Sequence, residues 1–104
     1  MGGEGGEPMF ARVFRVKVPP EAVEKGPAMA QEQAVPALRQ LRGFHAAYWL
    51  HDAQAGEGLS VVLWDDEQAA RDAEEQMGPK REEMQRQLGV TPQDMREYQV
   101  VAHS

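Results

Sequence analysis

Two runs separated by a short polar loop carry apolar residues on both of their faces. Phe44–His51 sets Phe44, Ala46, Tyr48 and Leu50 on one face and His45, Ala47, Trp49 and His51 on the other. Leu59–Trp64 alternates Leu59, Val61 and Leu63 with Ser60, Val62 and Trp64. With the Gly-containing loop Asp52–Gly58 between them, they predict a β-hairpin. A hairpin half open to water alternates apolar with charged residues, so this one predicts cover on both sides. Met9–Val18 predicts a strand of the same kind. Phe10, Phe14, Val16 and Val18 line one face, interrupted by Arg12; Met9, Ala11 and Val13 begin the other, followed by Arg15 and Lys17. Pro19 and Pro20 end it, because proline donates nothing to a ladder.

Between Pro20 and Arg42 the period becomes helical, with Ala30, Ala34, Leu38 and Leu41 in a narrow stripe and Val35 beside them. Pro27, preceded by Gly26, suits a first helical turn. Pro36 removes a hydrogen bond inside the pattern and predicts a kink or restart near Ala34–Pro36. Gly43 suits the turn into the hairpin. After Trp64, Asp65 or Asp66 can cap a second helix with a buried stripe of Ala70, Ala73 and Met77. Glu67, Arg71 and Glu75 stand four apart on its wet side. Gly78-Pro79 predicts a break, with a new helix carrying Met84 and Leu88 as far as Gly89. Thr91–Asp94 reads as a turn and Met95–His103 as a last strand. The order is β-α-β-β-α-β, an α+β, ferredoxin-like fold with a four-stranded antiparallel sheet and helices on one face. Two helices cover one face of such a sheet, so a second copy of the chain is the expected cover for the other, in a two-fold homodimer.

A length of 104 residues suits one domain. Met1–Pro8, with four glycines and two glutamates, predicts a disordered leader, and residues 9–104 a single domain. The net charge of −6, without a basic stripe, argues against nucleic acid and anionic membranes as partners. With no cysteine, disulfides, thiolate nucleophiles and Cys-based metal sites drop out together. No apolar run approaches the roughly 18 residues of a membrane span, and the expected location is the cytoplasm. Ser60 and Ser104 are the only serines, so no Ser-His-Asp arrangement can be argued. His45, His51 and His103 lack the partners at recognisable spacing that a metal site needs.

Three stretches resemble a known superfamily: VKVPPE at the end of the first strand, LRQLRGFHAAYWLHD, and LSVVLWDDEQAARDAEE. They are similar to the dimeric α+β barrels, and within them to antibiotic-biosynthesis-monooxygenase-like domains, from about Phe10 to Val101. The resemblance implies a small pocket between sheet and helices in each protomer. Some members use it for cofactor-independent oxidation of aromatic polyketides, and others hold haem there. The haem-degrading branch has an asparagine at the position aligned with Phe14, a tryptophan near Ala73 and a histidine near Glu83. All three are missing here, so no cofactor is expected.

The function expected is therefore a homodimeric, monooxygenase-like domain that takes a small apolar or aromatic ligand. Phe14, Tyr48, Trp49 and Trp64 would shape its cavity, although the simpler reading of Trp64 is a core aromatic fixing the helix against the sheet. Arg12 interrupts an apolar face, where an unpaired charge is costly. Either it holds a phenolate or carboxylate in the pocket, or it pairs with a helix glutamate or reaches water at the sheet's end. His45 or His51 could accept a proton from a phenolic substrate. The rival reading is a non-catalytic ligand-binding or assembly dimer of the same fold.

Overall fold

The computed structural model describes residues 8–104. Its four strands are β1 (Phe10–Lys17), β2 (Phe44–Asp52), β3 (Glu57–Trp64) and β4 (Thr91–Gln99). They form one antiparallel sheet in the order β2-β3-β1-β4. Between β1 and β2 lie α1 (Ala22–Met29), a π-helical turn (Ala30–Ala34) and α2 (Val35–Arg39); between β3 and β4 lies α3 (Glu67–Leu88). This is the ferredoxin-like arrangement that the sequence predicts. The leader expected over Met1–Pro8 lies outside the described residues apart from Pro8.

Phe10, Val62 and Trp64 from one face of the sheet pack against Leu38 of α2 and Ala69, Ala70, Ala73 and Met77 of α3. Phe44 meets Trp64 edge-on, with ring centroids 5.8 Å apart. That contact corrects the alternation expected for β2. The register skips between Phe44 and Ala46, so His45 is an extra residue that lets Phe44 share the helix-facing side with Ala47, Trp49 and His51. Tyr48 and Leu50 point the other way, opposite Val61 and Leu59.

Two further corrections concern Gly-Pro pairs. Gly26-Pro27 does not open a helix: α1 starts at Ala22, where Ala22 N–H donates to Pro19 O at 2.9 Å, and Pro27 lies inside it. Gly78-Pro79 does not break the second helix, which runs unbroken from Glu67 to Leu88. A proline pushes the preceding residue out of the helical region by colliding with its Cβ, and glycine has none. Each glycine thus lets its proline ride inside the helix. Pro36 behaves as expected, because the chain widens just before it: Val35 N–H reaches back five residues to Ala30 O.

The hairpin loop is shorter than predicted, β2 running to Asp52 and β3 starting at Glu57. Asp52 Oδ1 accepts from the backbone N–H of Gln54 and Ala55, both at 3.1 Å, which folds the turn locally. β4 is displaced from the prediction at both ends. Thr91–Asp94 is strand, not turn, because β1 offers Lys17 to Arg15 as partners; Gln93 is left as a bulge between them. Pro92 is tolerated there because β4 is an edge strand. Beyond Gln99, β1 has nothing left to pair with except Met9, whose carbonyl accepts from Val100 N–H at 2.8 Å.

Asp66 caps α3 by accepting from Ala69 N–H at 2.8 Å, and Gly89 ends it in the left-handed conformation. Gly43 closes the junction between the helical layer and β2, and its carbonyl accepts from Asp65 N–H at 2.7 Å. Its φ is +80°, and a Cβ there would stand 2.4 Å from the Cβ of Ala69. Gly43→Ala is therefore expected to cost at least about 2 kcal/mol, from backbone strain plus the clash. Gly26→Ala meets nothing within 4 Å beyond its chain neighbours, so its new Cβ strains only against Pro27 and should cost clearly less than Gly43→Ala. Urea unfolding of the two variants checks both, and equal effects would contradict the account.

Candidate ligand-binding site

Small residues face each other across the sheet-helix layer. Ala22, Ala30 and Ala34 on the first helical segment and Ala70 and Ala73 on α3 look onto Gly58 and Ser60 of β3. Side chains this short cannot fill the space between the layers, and a cavity of about 770 Å³ results. That is within the range of small-molecule sites, roughly 300–1,000 Å³. Its walls are otherwise largely apolar, with Val16, Val18, Met29, Leu38, Met84 and Leu88 contributing.

All five residues expected from sequence border this cavity, but in different ways. Phe14 and Trp49 line it from the helix-facing side of the sheet. Trp64 borders it while being buried in the core. Tyr48 lies on the opposite face of the edge strand β2, is 56% exposed, and borders the cavity from outside. Arg12 is buried, with 9% of its surface exposed. Its Nη1 donates to Glu74 Oε1 at 2.9 Å, and its Nη2 lies 2.7 Å from Glu97 Oε2. The ion pair with a helix glutamate is thus formed, and a second carboxylate joins it from β4. Arg12 Nε is buried without a hydrogen-bond partner.

Three members of this cluster were not singled out from the sequence: Glu74, Arg81 and Glu97. Arg81 grips Glu74 with two hydrogen bonds, Nη1 to Oε1 at 3.0 Å and Nη2 to Oε2 at 2.6 Å. Its guanidinium carbon stands 4.4 Å from the centroid of the Phe14 ring. Hydrogen bonding from Arg81 holds the Glu74 carboxyl below its ordinary value, helped by the charges of Arg81 and Arg12 and opposed by partial burial. Glu74 follows Ala70 by four residues and Arg81 follows Glu74 by seven, so both lie on the buried stripe of α3. Polar residues interrupting an apolar stripe were the available signal. Glu97 carried none, because the strand alternation gave no reason to place it beside Arg12.

His51 lines the cavity from β2. His45, at the bulge, has Nδ1 3.7 Å from Asp65 Oδ1. Among the described residues no group of three or more His, Asp or Glu side chains could hold a metal ion. No helix of the described chain is long and apolar enough to cross a membrane.

The family model for antibiotic biosynthesis monooxygenases matches residues 9–77. Among solved structures, the chain is similar to SnoaB, a cofactor-independent oxygenase from Streptomyces nogalater, with a TM-score of 0.73 and 18% identity. That match covers 93% of this chain and 97% of the other. An antibiotic-biosynthesis-monooxygenase-type protein from Deinococcus radiodurans gives the same TM-score and identity, over 91% and 95% of the two chains. At this level of identity these similarities concern the fold. An uncharacterised protein of Mycobacterium tuberculosis is 26% identical over 84 residues, which are 81% of this chain. The chain spans only 38% of the length of such curated relatives.

The charge cluster makes stability depend on pH. Because the folded Glu74 carboxyl is held below its ordinary value of 4.5, its contribution is fully present above that pH. It is lost as pH falls through the folded value. Glu74→Gln lacks this component, so the stability gap between the native chain and the variant should be constant from about pH 6 upward and shrink in acid. Unfolding free energies measured from pH 7 down to pH 3 check this; a gap that does not change with pH would contradict it.

Proposed function

This chain belongs to the antibiotic biosynthesis monooxygenase family, and on that premise we propose that it is a homodimer whose cavity takes a small aromatic molecule and oxygenates it without a cofactor. The observation that carries the reading is the cavity itself. An alanine-walled space of about 770 Å³, with aromatic side chains on the sheet and charged groups at one end, suits a flat, mostly apolar ligand with an acidic oxygen.

The chemistry fits substrates that carry their own reducing power. An anthrone-type CH₂ that loses a proton leaves a carbanion delocalised onto the neighbouring oxygen. O₂ accepts its electrons, one oxygen atom stays as the new carbonyl, and the other leaves as water. The protein's share is to bind the ring, exclude water and stabilise the oxyanion with positive groups. In this reading Phe14, Trp49 and Trp64 shape the cavity, Tyr48 bounds it at β2, and Arg12 contributes to its charged end. His51 supplies an imidazole to take the proton.

The sheet face turned away from the helices supports the homodimer. Val13, Leu50, Val61 and Leu63 lie on it, with Tyr48 and Tyr98 half exposed beside them. A second copy burying this face gives the cover that the hairpin pattern calls for. Sedimentation at micromolar concentration should give twice the 11.6 kDa chain mass, and Val61→Glu should reduce it to one. A wild-type monomer would refute the assembly.

One observation favours binding without turnover: both terminal nitrogens of Arg12 are already engaged by carboxylates. Oxygen uptake with a panel of anthrones and dihydroxynaphthalenes separates the two readings. Turnover that falls at least about tenfold in Ala34→Phe, which fills the cavity, is the expected result. Saturable binding with no uptake across the panel would leave a ligand-binding dimer.

A further inference from the structure

The charges around the cavity do not match those of the chain. Overall, 17 acidic side chains outweigh 11 basic ones. On the cavity wall the balance reverses: Arg12, Arg39 and Arg81 face a single carboxylate, Glu74, among the described lining residues. Glu97, which balances Arg12 from β4, is not part of that wall. With Glu97 counted against Arg12 the buried cluster is neutral, so the cavity favours an anion only where a guanidinium can exchange its carboxylate partner, in low-dielectric surroundings that strengthen the attraction.

The three guanidiniums are not equivalent. Arg12 is buried and has a carboxylate on each terminal nitrogen. Arg39 is exposed. Arg81 alone is both positioned and releasable. The Phe14 ring, 4.4 Å away, supports its guanidinium against the sheet, and 26% of its side chain remains accessible. Its carboxylate partner is shared, since Glu74 Oε1 also accepts from Arg12 at 2.9 Å. If Arg81 turns to another anion, Glu74 keeps Arg12 and is not left as an unpaired charge. We infer that the cavity is built for an aromatic acid and that Arg81 receives its anionic oxygen, in exchange for Glu74. This deepens the ligand-binding reading above and rests on it.

The exchange has a consequence that a purely structural ion pair lacks: Glu74 competes with the ligand. Removing Arg81 should weaken anion binding, and removing the Glu74 charge should strengthen it. The probes are 1-naphthoate and its neutral near-isostere 1-naphthamide, followed by tryptophan fluorescence on the full chain at pH 7. Naphthoate is expected to bind at least about tenfold more tightly than naphthamide, the scale of a charge-assisted hydrogen-bonded pair. Arg81→Met should bring naphthoate down to the level of naphthamide, Arg81→Lys should keep part of the preference, and Glu74→Gln should tighten naphthoate alone by severalfold. Thermal melts establish that each variant is folded; if Arg81→Met is not, the lysine and glutamine variants carry the test with their opposite signs.

Equal affinities for the two probes in the native chain would overturn the aromatic-acid assignment while leaving the cavity reading standing. A preference that survives in full in a folded Arg81→Met, or naphthoate binding that weakens in Glu74→Gln, would overturn the exchange. No binding of either probe would overturn the ligand-binding reading and this inference with it.

Discussion

The Glu74 carboxylate lies between the guanidiniums of Arg12, on β1, and Arg81, about two turns further along the same face of α3. Through it the long helix is tied to the central strand where apolar packing has run out. The packed core ends around Trp64, Val62 and Met77, and beyond it alanine, serine and glycine leave a gap that Val16, Val18, Met84 and Leu88 border without filling. Two layers with so little to fill the gap would ordinarily collapse or slide. A buried arginine that cannot lose its carboxylates without a large desolvation penalty fixes α3 at a set distance and register. The cavity therefore persists because a charge is held across its end, and Arg81, on the same carboxylate, is the group to which the anion preference is assigned.

The hairpin supplies the other constraint. One extra residue at His45 turns Phe44 into the layer beside Trp64, so that β2 contributes Phe44, Ala47, Trp49 and His51 to the helix side. Tyr48 and Leu50 then join Val61, Leu63 and Tyr98 on the open face. Each face has a distinct use: one bounds the cavity, and the other is an apolar surface suited to a second copy. Gly43 makes this possible, since only a residue without Cβ can pass so close to Ala69 and carry the chain from helix to edge strand.

Much of the architecture was legible because periodicity and capping speak for themselves. The paired apolar faces of the strands, the alanine stripes, Asp66 and Gly89 all act through neighbours a few residues away. What was not legible depended on interactions that local rules score the wrong way. Gly26-Pro27 looks like a helix start and Gly78-Pro79 like a break until the missing Cβ is considered together with the proline. Thr91–Asp94 looks like a turn, yet β1 has strand edge to offer it. At the site, Phe14, Trp49, Trp64 and Arg12 stood out as aromatics or as a charge on an apolar strand. Arg81 left only its place on the apolar stripe of α3 as a mark, and Glu97 left none until the fold brings it beside Arg12. A bulge of one residue likewise leaves no mark in an alternating pattern in which both faces are apolar.

The central claim is that the space between sheet and helices, with Arg81 at its charged end, is where the ligand sits. Two tryptophans border that space and none lies elsewhere, so their indole N–H resonances report on it directly. In a ¹H–¹⁵N titration with 1-naphthoate, both indole signals and the Arg81 side-chain Nε–H signal should shift together and saturate at one equivalent per chain. In a companion ¹H–¹³C spectrum, the methyl signals of Val13, Val61 and Leu63, whose side chains lie on the far face of the sheet, should stay in place. Shifts concentrated on that far face, or indole signals that do not move at saturating ligand, would contradict the account.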